Sequence, residues 1–252
     1  MKIKILVATH KPYWMPQDPI YMPLHVGKAG KLSLGYFGDD EGDSISEKNK
    51  NFCELTGLYW AWKNLETEYI GLCHYRRYFG IPCGGDLPEE RARKIFQKAD
   101  YELLLEKYDV ILPRRRRYYI ETVRSQYEHA HYKRDLDEVE KIIGERFPEY
   151  IYAFRSVMNR RSLYIFNMFV MKQEQFHAYC SWLFSILFKL EERIDISKYD
   201  VYQARVFGFL SERLFNVWLE QQQLKYIEVP VVSLEKVNWP KKIKEFLVRK
   251  FG

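Results

Sequence analysis

Polar and cationic side chains follow three apolar, strand-like segments of this sequence, each at the point where the segment ends. The segments are Lys2 to Thr9 (KIKILVAT), Tyr69 to Cys73 (YIGLC) and Asp109 to Pro113 (DVILP). The runs that follow them are Thr9-His10-Lys11, His74 with Arg76 and Arg77, and Arg114 to Arg117. Ligands of open α/β sheets bind beyond the carboxyl ends of the strands. Because a guanidinium gives paired hydrogen bonds to phosphate oxygens, the sequence predicts a positive rim suited to a diphosphate.

The same arginines also have structural interpretations. Arg76 and Arg77 could form surface salt bridges, and residues 114 to 117 could be a solvated loop. A P-loop and a Rossmann dinucleotide site are not expected, because the chain has no GxxxxGK[ST] and no GxGxxG after its first strand. It also lacks HExxH and GxSxG. A phosphate site in this protein must therefore be held by side chains and not by a glycine-rich loop.

One carboxylate, Glu212, has the position of a general base on a helix. In the segment VYQARVFGFLSERLFNVWL, apolar residues follow one side of a helix, and Arg205, Gly208 and Glu212 follow another. Glycosyl transfer with inversion needs a carboxylate that accepts the proton of the attacking hydroxyl, and Glu212 is the candidate. Glycine inside a helix costs roughly 1 kcal/mol relative to alanine, so Gly208 indicates close approach by a ligand or another helix. The structural alternative pairs Glu212 with Arg205 or Arg213.

Three aspartates, Asp39, Asp40 and Asp43, lie in an acidic, glycine-containing segment and could ligate Mg²⁺. Asp40 and Asp43 also suit Asx turns, which is the structural alternative. Nucleotide-sugar enzymes often hold Mn²⁺ or Mg²⁺ with an Asp-x-Asp after a central strand, where this chain has His-Tyr-Arg-Arg at 74–77. Cations there would neutralise a leaving diphosphate without a metal. We therefore predict that no metal is required, with Mn²⁺ or Mg²⁺ as the alternative.

Strand-like and helix-like segments alternate along the chain, which predicts an α/β fold with a mostly parallel central sheet flanked by helices. Further strands are expected at Leu32 to Phe37, Ile165 to Met171 and Ile227 to Ser233. Helical periodicity marks 51–65, 89–98, about 119–132, 135–146, 149–158, 173–193 and 199–222. The block 119–158 is then a helical insertion between two strands of a single domain covering 1–252.

Two local features refine this expectation. Residues 10 to 32 are rich in proline, glycine and aromatic residues without a clear period, which predicts a long functional loop. Asn51 and Glu54 have the spacing of a capping box, which predicts that a helix begins at Asn51.

The composition is that of an ordinary globular protein. Hydrophobic residues make up 47% and charged residues 29%, which excludes wholesale disorder. No apolar run approaches the roughly 18 to 20 residues of a membrane span, and the first residues lack the features of a signal peptide, so a cytoplasmic protein is expected. The net charge of +6 permits an anionic partner, but without a recognised motif it argues against nucleic acid.

Cysteine and aromatic content add two expectations. The four cysteines form no CxxC pair and are expected to be reduced, packed thiols, which argues against a zinc site. Aromatic residues reach 17% with 20 Tyr, a density found in sugar and base sites and in tyrosine-rich cores.

The segment 240–252 is basic and amphipathic. Pro240 suits the first position of a helix, and Ile243, Phe246 and Leu247 then share one face. Such a helix predicts peripheral binding to an anionic membrane surface. The alternative is a terminal helix docked on the protein's own core.

Several runs resemble the signature blocks of a bacterial family first catalogued as a domain of unknown function. The runs are THKPYWMP, GDSISEKNKNFCELTGLYWAWKN, GLCHYRRYF, NMFVM, YCSWLF and RVFGFLSERLFNVWL. The resemblance extends along nearly the whole chain. Members of that family sit in capsular and exopolysaccharide gene clusters and are regarded as glycosyltransferases of GT-A-like fold. Some transfer galactosyl or galactofuranosyl groups from a UDP-sugar.

The resemblance implies transfer of a hexose, with galactose or galactofuranose favoured, from a UDP-sugar to a lipid-linked glycan. It also implies a nucleotide site built from the end of the first strand and from residues 39–51. The predicted donor-binding residues are Thr9, His10, Lys11, Asp39, Asp40, Lys48, Asn49, His74, Arg76 and Arg77. Glu212 is the predicted base, and Arg205 and Asn167 are the predicted acceptor contacts. A non-catalytic glycan- or anion-binding module is the alternative function.

Overall fold

The computed structural model describes residues 1–235, and the predicted amphipathic segment at 240–252 lies outside the described residues. The strands are β1 (Ile3–Thr9), β2 (Tyr21–His25), β3 (Phe37–Gly38), β4 (Tyr69–His74), β5 (Arg77–Phe79), β6 (Val110–Pro113), β7 (Arg116–Arg117), β8 (Ser162–Leu163), β9 (Phe169–Lys172), β10 (Tyr226–Val229) and β11 (Val231–Ser233). The α-helices are α1 (Asn49–Phe52), α2 (Leu55–Asn64), α3 (Pro88–Arg91), α4 (Lys98–Leu105), α5 (Val123–Ala130), α6 (Lys133–Arg146), α7 (Ile151–Asn159), α8 (Gln173–Arg193) and α9 (Val206–Gln222). Short 3₁₀ helices occupy Ser46–Lys48, Ala92–Lys94, Pro148–Tyr150 and Gln203–Arg205.

The central sheet has the order β10-β6-β9-β4-β1-β2-β3, with β5 and β11 attached beside β4. β1 pairs in parallel with β2 and β4, as do β2 with β3 and β10 with β6. β9 runs antiparallel between β4 and β6. β5 is antiparallel to β4 and β11. The predicted α/β fold with a mostly parallel sheet is confirmed, and the reversed β9 begins at the edge where β1, β4 and β6 end.

Both faces of β1 are buried, which explains its nearly continuous apolar sequence. Leu6 and Ala8 belong to the core cluster formed with α2, α8 and α9. Ile5 and Val7 face the opposite cluster, which includes the aromatic residues of β5 and α4. The first strand is therefore the centre of the fold and positions the polar residues that follow it.

The strand β2 corrects the prediction of one long loop over residues 10 to 32. Pro23 argued against a strand there, because proline donates no amide hydrogen. The amide of Val26 donates to Thr9 O, whereas the carbonyl of His25 accepts from Asp39, so alternate residues of β2 face β1 and β3. Pro23 faces the β3 side, where β3 pairs with only two residues of β2, so no ladder hydrogen bond is lost. Of the strand predicted at 32–37, only Phe37 is in a strand, because β3 is the short edge strand Phe37–Gly38.

The predicted helix start at Asn51 is wrong. The helix is interrupted at Cys53, whose φ of 54° lies in the left-handed region. The Asn51 amide does not cap a helix but donates to Ala204 O at 2.7 Å, across to the turn before α9. The interruption lets α1 contact α9 while α2 packs against α8.

Other predicted boundaries also move, each for a local reason. The helix predicted from 199 begins at Val206, because Asp200 accepts the amides of Tyr202 and Gln203 and holds a turn. The strand predicted at 165–171 begins at Phe169, because residues 166 and 167 are left-handed. The last predicted strand divides at Pro230 into β10, which pairs with β6, and β11, which pairs with β5. The helix predicted at 89–98 becomes α3 and a 3₁₀ turn, and α4 follows unpredicted.

The predicted insertion contains α5, α6 and α7, close to the three helices expected at 119–158. Its two ends meet at the small β7–β8 sheet, where Arg116 pairs with Leu163 and Arg117 with Ser162. Within residues 1–235, no helix combines the length and the apolar character that crossing a membrane requires.

Candidate functional site

The carboxyl ends of β1, β2 and β4 lie side by side and bring the first two polar runs together. Thr9 pairs with His25 in register, and Ala8 pairs with His74. The ring of His10 then contacts Tyr75, with centroids 5.4 Å apart. Of the three polar runs that the sequence predicts as a positive rim, the first two lie together at this edge.

His25 belongs to this edge although sequence reasoning did not single it out. It is 2% exposed, and within residues 1–235 its Nδ1 has no hydrogen-bond partner. Burial lowers the pKa of its imidazole. A histidine inside a segment containing proline carries no periodicity signal, which is why the pattern did not reveal it.

Two members of the first run have local roles. The hydroxyl of Thr9 donates to Lys11 O at 2.7 Å and accepts from the Lys11 amide at 3.3 Å, so it holds the turn after β1. The ammonium of Lys11 lies 5.4 Å from the centre of the Tyr75 ring. Thr9 thus shapes the site, while Lys11 contributes positive charge above an aromatic ring.

His74 is neutral in this environment. Burial is the main cause that lowers the pKa of its imidazole, to about 3, and the charges of Arg76, Arg77, His10 and Arg205 act in the same direction. Its Nδ1 accepts the amide hydrogen of Arg76 at 3.4 Å, which leaves Nε2 to carry the proton. His74 can therefore donate a hydrogen bond at any ordinary pH without titrating.

Arg76 and Arg77 differ in their partners. Arg76 pairs with Glu235 at 3.0 Å, while its buried Nε has no partner within residues 1–235. Arg77 is in no ion pair within the same residues, and its guanidinium lies 4.3 Å from the centre of the Phe166 ring. Burial and the charge of Arg76 lower the pKa of Arg77. The salt-bridge alternative holds for Arg76, whereas Arg77 forms no ion pair in the described part of the chain, and the charges of Glu212, Glu235 and Glu54 act on it from beyond ion-pair distance.

The third run does not join the rim as a unit. Arg115 Nε donates to Glu228 at 3.1 Å and to Tyr164 OH at 2.7 Å, so this residue braces the end of β6 against β10. Arg116 and Arg117 form β7. The four arginines therefore do not line one diphosphate site together. They are not a simple solvated loop either, because Arg115 forms these hydrogen bonds and Arg116 and Arg117 form a strand.

Glu212 lies on α9 with one carboxylate oxygen held by the backbone of the neighbouring loop. Its Oε1 accepts the amide of Phe166 at 2.8 Å, and its Oε2 accepts from Arg213 at 3.3 Å. Burial raises the pKa of this carboxyl, against the lowering effects of Arg213 and the Phe166 amide. The side chain remains 23% exposed and lines a pocket. The contact with Arg213 that the structural alternative expects is present, and the role of Glu212 as a base stays a prediction.

The loop that holds Glu212 has two left-handed residues in succession, Phe166 at φ 78° and Asn167 at φ 51°. Such backbone conformations cost of order 1 to 3 kcal/mol each outside glycine and persist where surrounding contacts enforce them. The Asn167 amide donates to Glu54 at 2.8 Å and to Ser211 at 3.0 Å. Asn167 is 3% exposed and positions the loop, and its contact with an acceptor stays a prediction.

Arg205 likewise has a packing role. Its Nε donates to the Cys53 sulfur at 3.2 Å, and its positive charge acts on His74. A Cβ at Gly208 would lie 3.1 Å from the same sulfur, so the glycine permits close packing of α9 on the α1–α2 junction. Gly208 could indicate close approach by a ligand or by another helix, and the structure shows the contact with the neighbouring helix segment.

The predicted nucleotide segment 39–51 is held together by its own side chains. Asp39 accepts the amides of Gly27 and Lys28, at 2.8 and 3.1 Å, and Asp40 pairs with Lys28 at 2.9 Å. Asp43 accepts from Tyr59 OH at 3.0 Å. The three carboxylates thus accept from amide, ammonium and hydroxyl donors, as the turn alternative expects. Within residues 1–235, no three His, Cys, Asp or Glu side chains come together as metal ligands.

The remaining two predicted donor residues also contact protein. Lys48 pairs with Glu191 at 2.7 Å. The Asn49 amide donates to Cys53 O at 2.7 Å and to the Thr56 hydroxyl at 3.1 Å. Both residues connect the 39–51 segment to the helices behind it. Among the predicted donor residues, the cations that follow β1 and β4 are therefore the ones available to an anion.

Comparison with known proteins gives a consistent result. Residues 4–223 match the family described as domain of unknown function DUF4422. The fold is similar to that of the WbbM bifunctional glycosyltransferase in its apo structure, with a TM-score of 0.86 and 34% sequence identity. That similarity covers 94% of this chain and 46% of the other, so this chain spans about half the length of the protein it matches. None of the curated proteins matches this sequence. The resemblance drawn from the sequence blocks is confirmed, and the chain belongs to the DUF4422 family.

Proposed function

We propose that this protein is a glycosyltransferase that moves a hexose, galactose or galactofuranose being favoured, from a UDP-sugar to a lipid-linked glycan. The observation that carries the proposal is the junction at Phe166. Its ring contacts the Arg77 guanidinium at 4.3 Å, and its amide donates to the Glu212 carboxylate at 2.8 Å. We infer from this arrangement that Arg77 is the cation for the leaving phosphate and Glu212 the base for the attacking hydroxyl, one on each side of Phe166.

The mechanism follows from these groups. An acceptor hydroxyl attacks the anomeric carbon of the donor as Glu212 takes its proton, and the bond from that carbon to the diphosphate oxygen breaks. The electron pair of the broken bond stays on the diphosphate. Arg77 and Arg76 stabilise that charge in a partly buried site, where electrostatic interactions are stronger than in water. His74, neutral and protonated on Nε2, supplies a further hydrogen-bond donor. Attack opposite the leaving group inverts the anomeric centre.

The proposed contact with a membrane is based on the sequence alone. The amphipathic segment 240–252 lies outside the described residues, and it remains a predicted contact with an anionic membrane surface on the cytoplasmic side. That contact would bring the site close to a lipid-linked acceptor.

Release of UDP in the absence of acceptor tests the donor class. Transferases slowly hydrolyse their own donors, so a panel of UDP-, GDP- and dTDP-sugars is expected to give nucleotide release from one UDP-hexose. The readout is a coupled assay of free nucleoside diphosphate. Release from no donor, together with measurable glycan binding, would establish the non-catalytic binding module instead.

Metal dependence gives a second expected result. Because Asp39, Asp40 and Asp43 are engaged by protein donors and cations stand at the end of β4, EDTA is expected to reduce turnover only weakly. Turnover is measured before and after chelation and after addition of Mn²⁺ or Mg²⁺. Complete loss that Mn²⁺ restores would show that the reaction uses a metal.

A further inference from the structure

A pocket of about 280 Å³ lies between the insertion and α9, and Glu212 is one of its lining residues. We propose that this pocket binds a single uncharged sugar ring of the acceptor. The proposal rests on the proposed function and assigns the acceptor site to residues other than Arg205 and Asn167. Those two are absent from the pocket lining in the described part of the chain.

One wall of the pocket is a stack of aromatic rings. The ring of His131 lies 4.1 Å from that of Phe209 at an angle of 25°, and 5.8 Å from that of Tyr202 at 21°. His131 is held in place at the end of α5 by Gln203, 3.0 Å from its Nδ1. Sugar rings have apolar C–H faces, so a flat aromatic wall provides a complementary apolar surface.

The other wall provides two pairs of side chains that carry hydrogen-bonding groups. Arg213 is 4% exposed and donates to Gln126 Oε1 at 2.6 Å, while its buried Nε has no hydrogen-bond partner within residues 1–235. Buried polar atoms without a partner are rare and call for an explanation. A second pair is formed by Glu121, 7% exposed, and His129. Guanidinium, amide and carboxylate groups can donate to and accept from the hydroxyls of a sugar.

The charges of the pocket select the class of sugar. Glu212 is compensated by Arg213, and Glu121 contacts the His129 imidazole. The lining has two carboxylates, of Glu121 and Glu212, and two guanidinium groups, of Arg116 and Arg213, so neither an acidic sugar nor an amino sugar meets a net opposite charge. An uncharged hexose meets hydrogen-bonding groups whose charges are already compensated.

The size and the position of the pocket also favour a single sugar ring. Pockets for small molecules usually begin at about 300 Å³, so this volume suits one ring and not an extended chain. Arg116 and the 49% exposed Tyr202 also line the pocket, which gives the rest of the glycan a route to solvent. Since Phe166 lines the pocket and also contacts Arg77, a hydroxyl beside Glu212 points toward the donor side.

The experiment measures transfer to methyl hexosides and donor hydrolysis in parallel, using the full chain. Gln126→Ala removes the partner of Arg213, and Ala130→Phe fills the pocket without removing a side-chain contact. Both are expected to raise the KM for the methyl hexoside about tenfold or more, with the KM for the donor unchanged. Tyr152→Ala, an 83% exposed position on α7, is the matched control with unchanged constants. Methyl glucuronide and methyl glucosaminide are expected to be poor acceptors.

The outcomes separate this inference from the proposed function. If the wild-type chain hydrolyses no donor, the proposed function fails. If it hydrolyses a donor but Ala130→Phe transfers to the hexoside with the wild-type KM, the pocket is not the acceptor site. Preference for the charged glycosides would overturn the assignment of an uncharged ring. Should Gln126→Ala fail to fold, Ala130→Phe still decides the matter.

Discussion

Replacing Glu212 by Gln is expected to lower glycosyl transfer by about 10²- to 10⁴-fold, the usual contribution of a positioned general base. Glutamine keeps the shape of the side chain and can still accept the amide of Phe166, which Glu212 accepts at 2.8 Å. It has no basic oxygen for the proton of the acceptor hydroxyl. The variant should therefore fold normally and bind donor, as measured by its thermal transition and by titration with the donor.

The matched control is Glu220→Gln, which lies on the same helix and pairs with Arg160 away from the pocket. This control should keep wild-type transfer. Normal turnover of the Glu212 variant would show that the base lies elsewhere, with Glu54 as the next carboxylate to test. Loss of the fold would instead identify Glu212 as a structural partner of Arg213.

The pH profile gives the Glu212 prediction an independent check. The base works in its deprotonated form, so kcat falls as pH decreases through the pKa of Glu212. Because burial raises this pKa from the ordinary value of 4.5, the acid limb should have its midpoint above 4.5. His74, with a pKa lowered to about 3, adds no limb between pH 5 and 7. The Glu212→Gln variant should lose the limb.

Replacing Arg77 by Ala is expected to lower kcat by about 10²- to 10³-fold, the range for removal of one preorganised group that stabilises developing charge. Arg77 forms no ion pair within residues 1–235, so its guanidinium donors can contact the leaving diphosphate. Arg76→Ala should have the smaller effect, because Glu235 already compensates Arg76 at 3.0 Å. Arg77→Lys should recover activity only partly, since an ammonium lacks the paired donors of a guanidinium.

Steady-state turnover with saturating donor and acceptor measures these effects. Arg155→Ala removes an exposed arginine that pairs with Glu140 on the insertion, and it serves as the control with unchanged kcat. Near-normal turnover of both Arg76→Ala and Arg77→Ala would remove these residues from the mechanism.

The sequence predicted the central fold because local pattern and burial agree there. β1 is apolar on both faces, and the helix predicted at 173–193 is found at Gln173–Arg193. Predictions failed where long-range contacts override the local pattern. The open edge beside β2 accommodates Pro23, and the turn before α9 takes the Asn51 amide that the pattern assigned to a helix cap.

The candidate site shows the same division. Residues that follow a buried strand, such as His74 and Arg77, could be predicted because the end of a strand is visible in the sequence. Glu212 could be predicted from helical spacing. The pocket residues Gln126 and His131 could not, because the insertion meets α9 only in the folded chain. The left-handed backbone of Asn167 and its bond to Glu54 could not be predicted either, because neither has a sequence signature.

The β7–β8 pairing has a consequence for how this architecture can diversify. Because Arg116 pairs with Leu163 and Arg117 with Ser162, the insertion leaves and rejoins the body of the protein at nearly one point. A segment attached in this way can vary at its exposed and pocket-facing positions without disturbing the register of the nine-stranded sheet, provided that its buried face on the main core is kept. Under the proposed roles, the sheet carries the chemistry of the donor and the insertion carries one wall of the acceptor pocket. Selectivity for the acceptor is then a separable module, open to exchange by recombination while the transfer chemistry stays fixed.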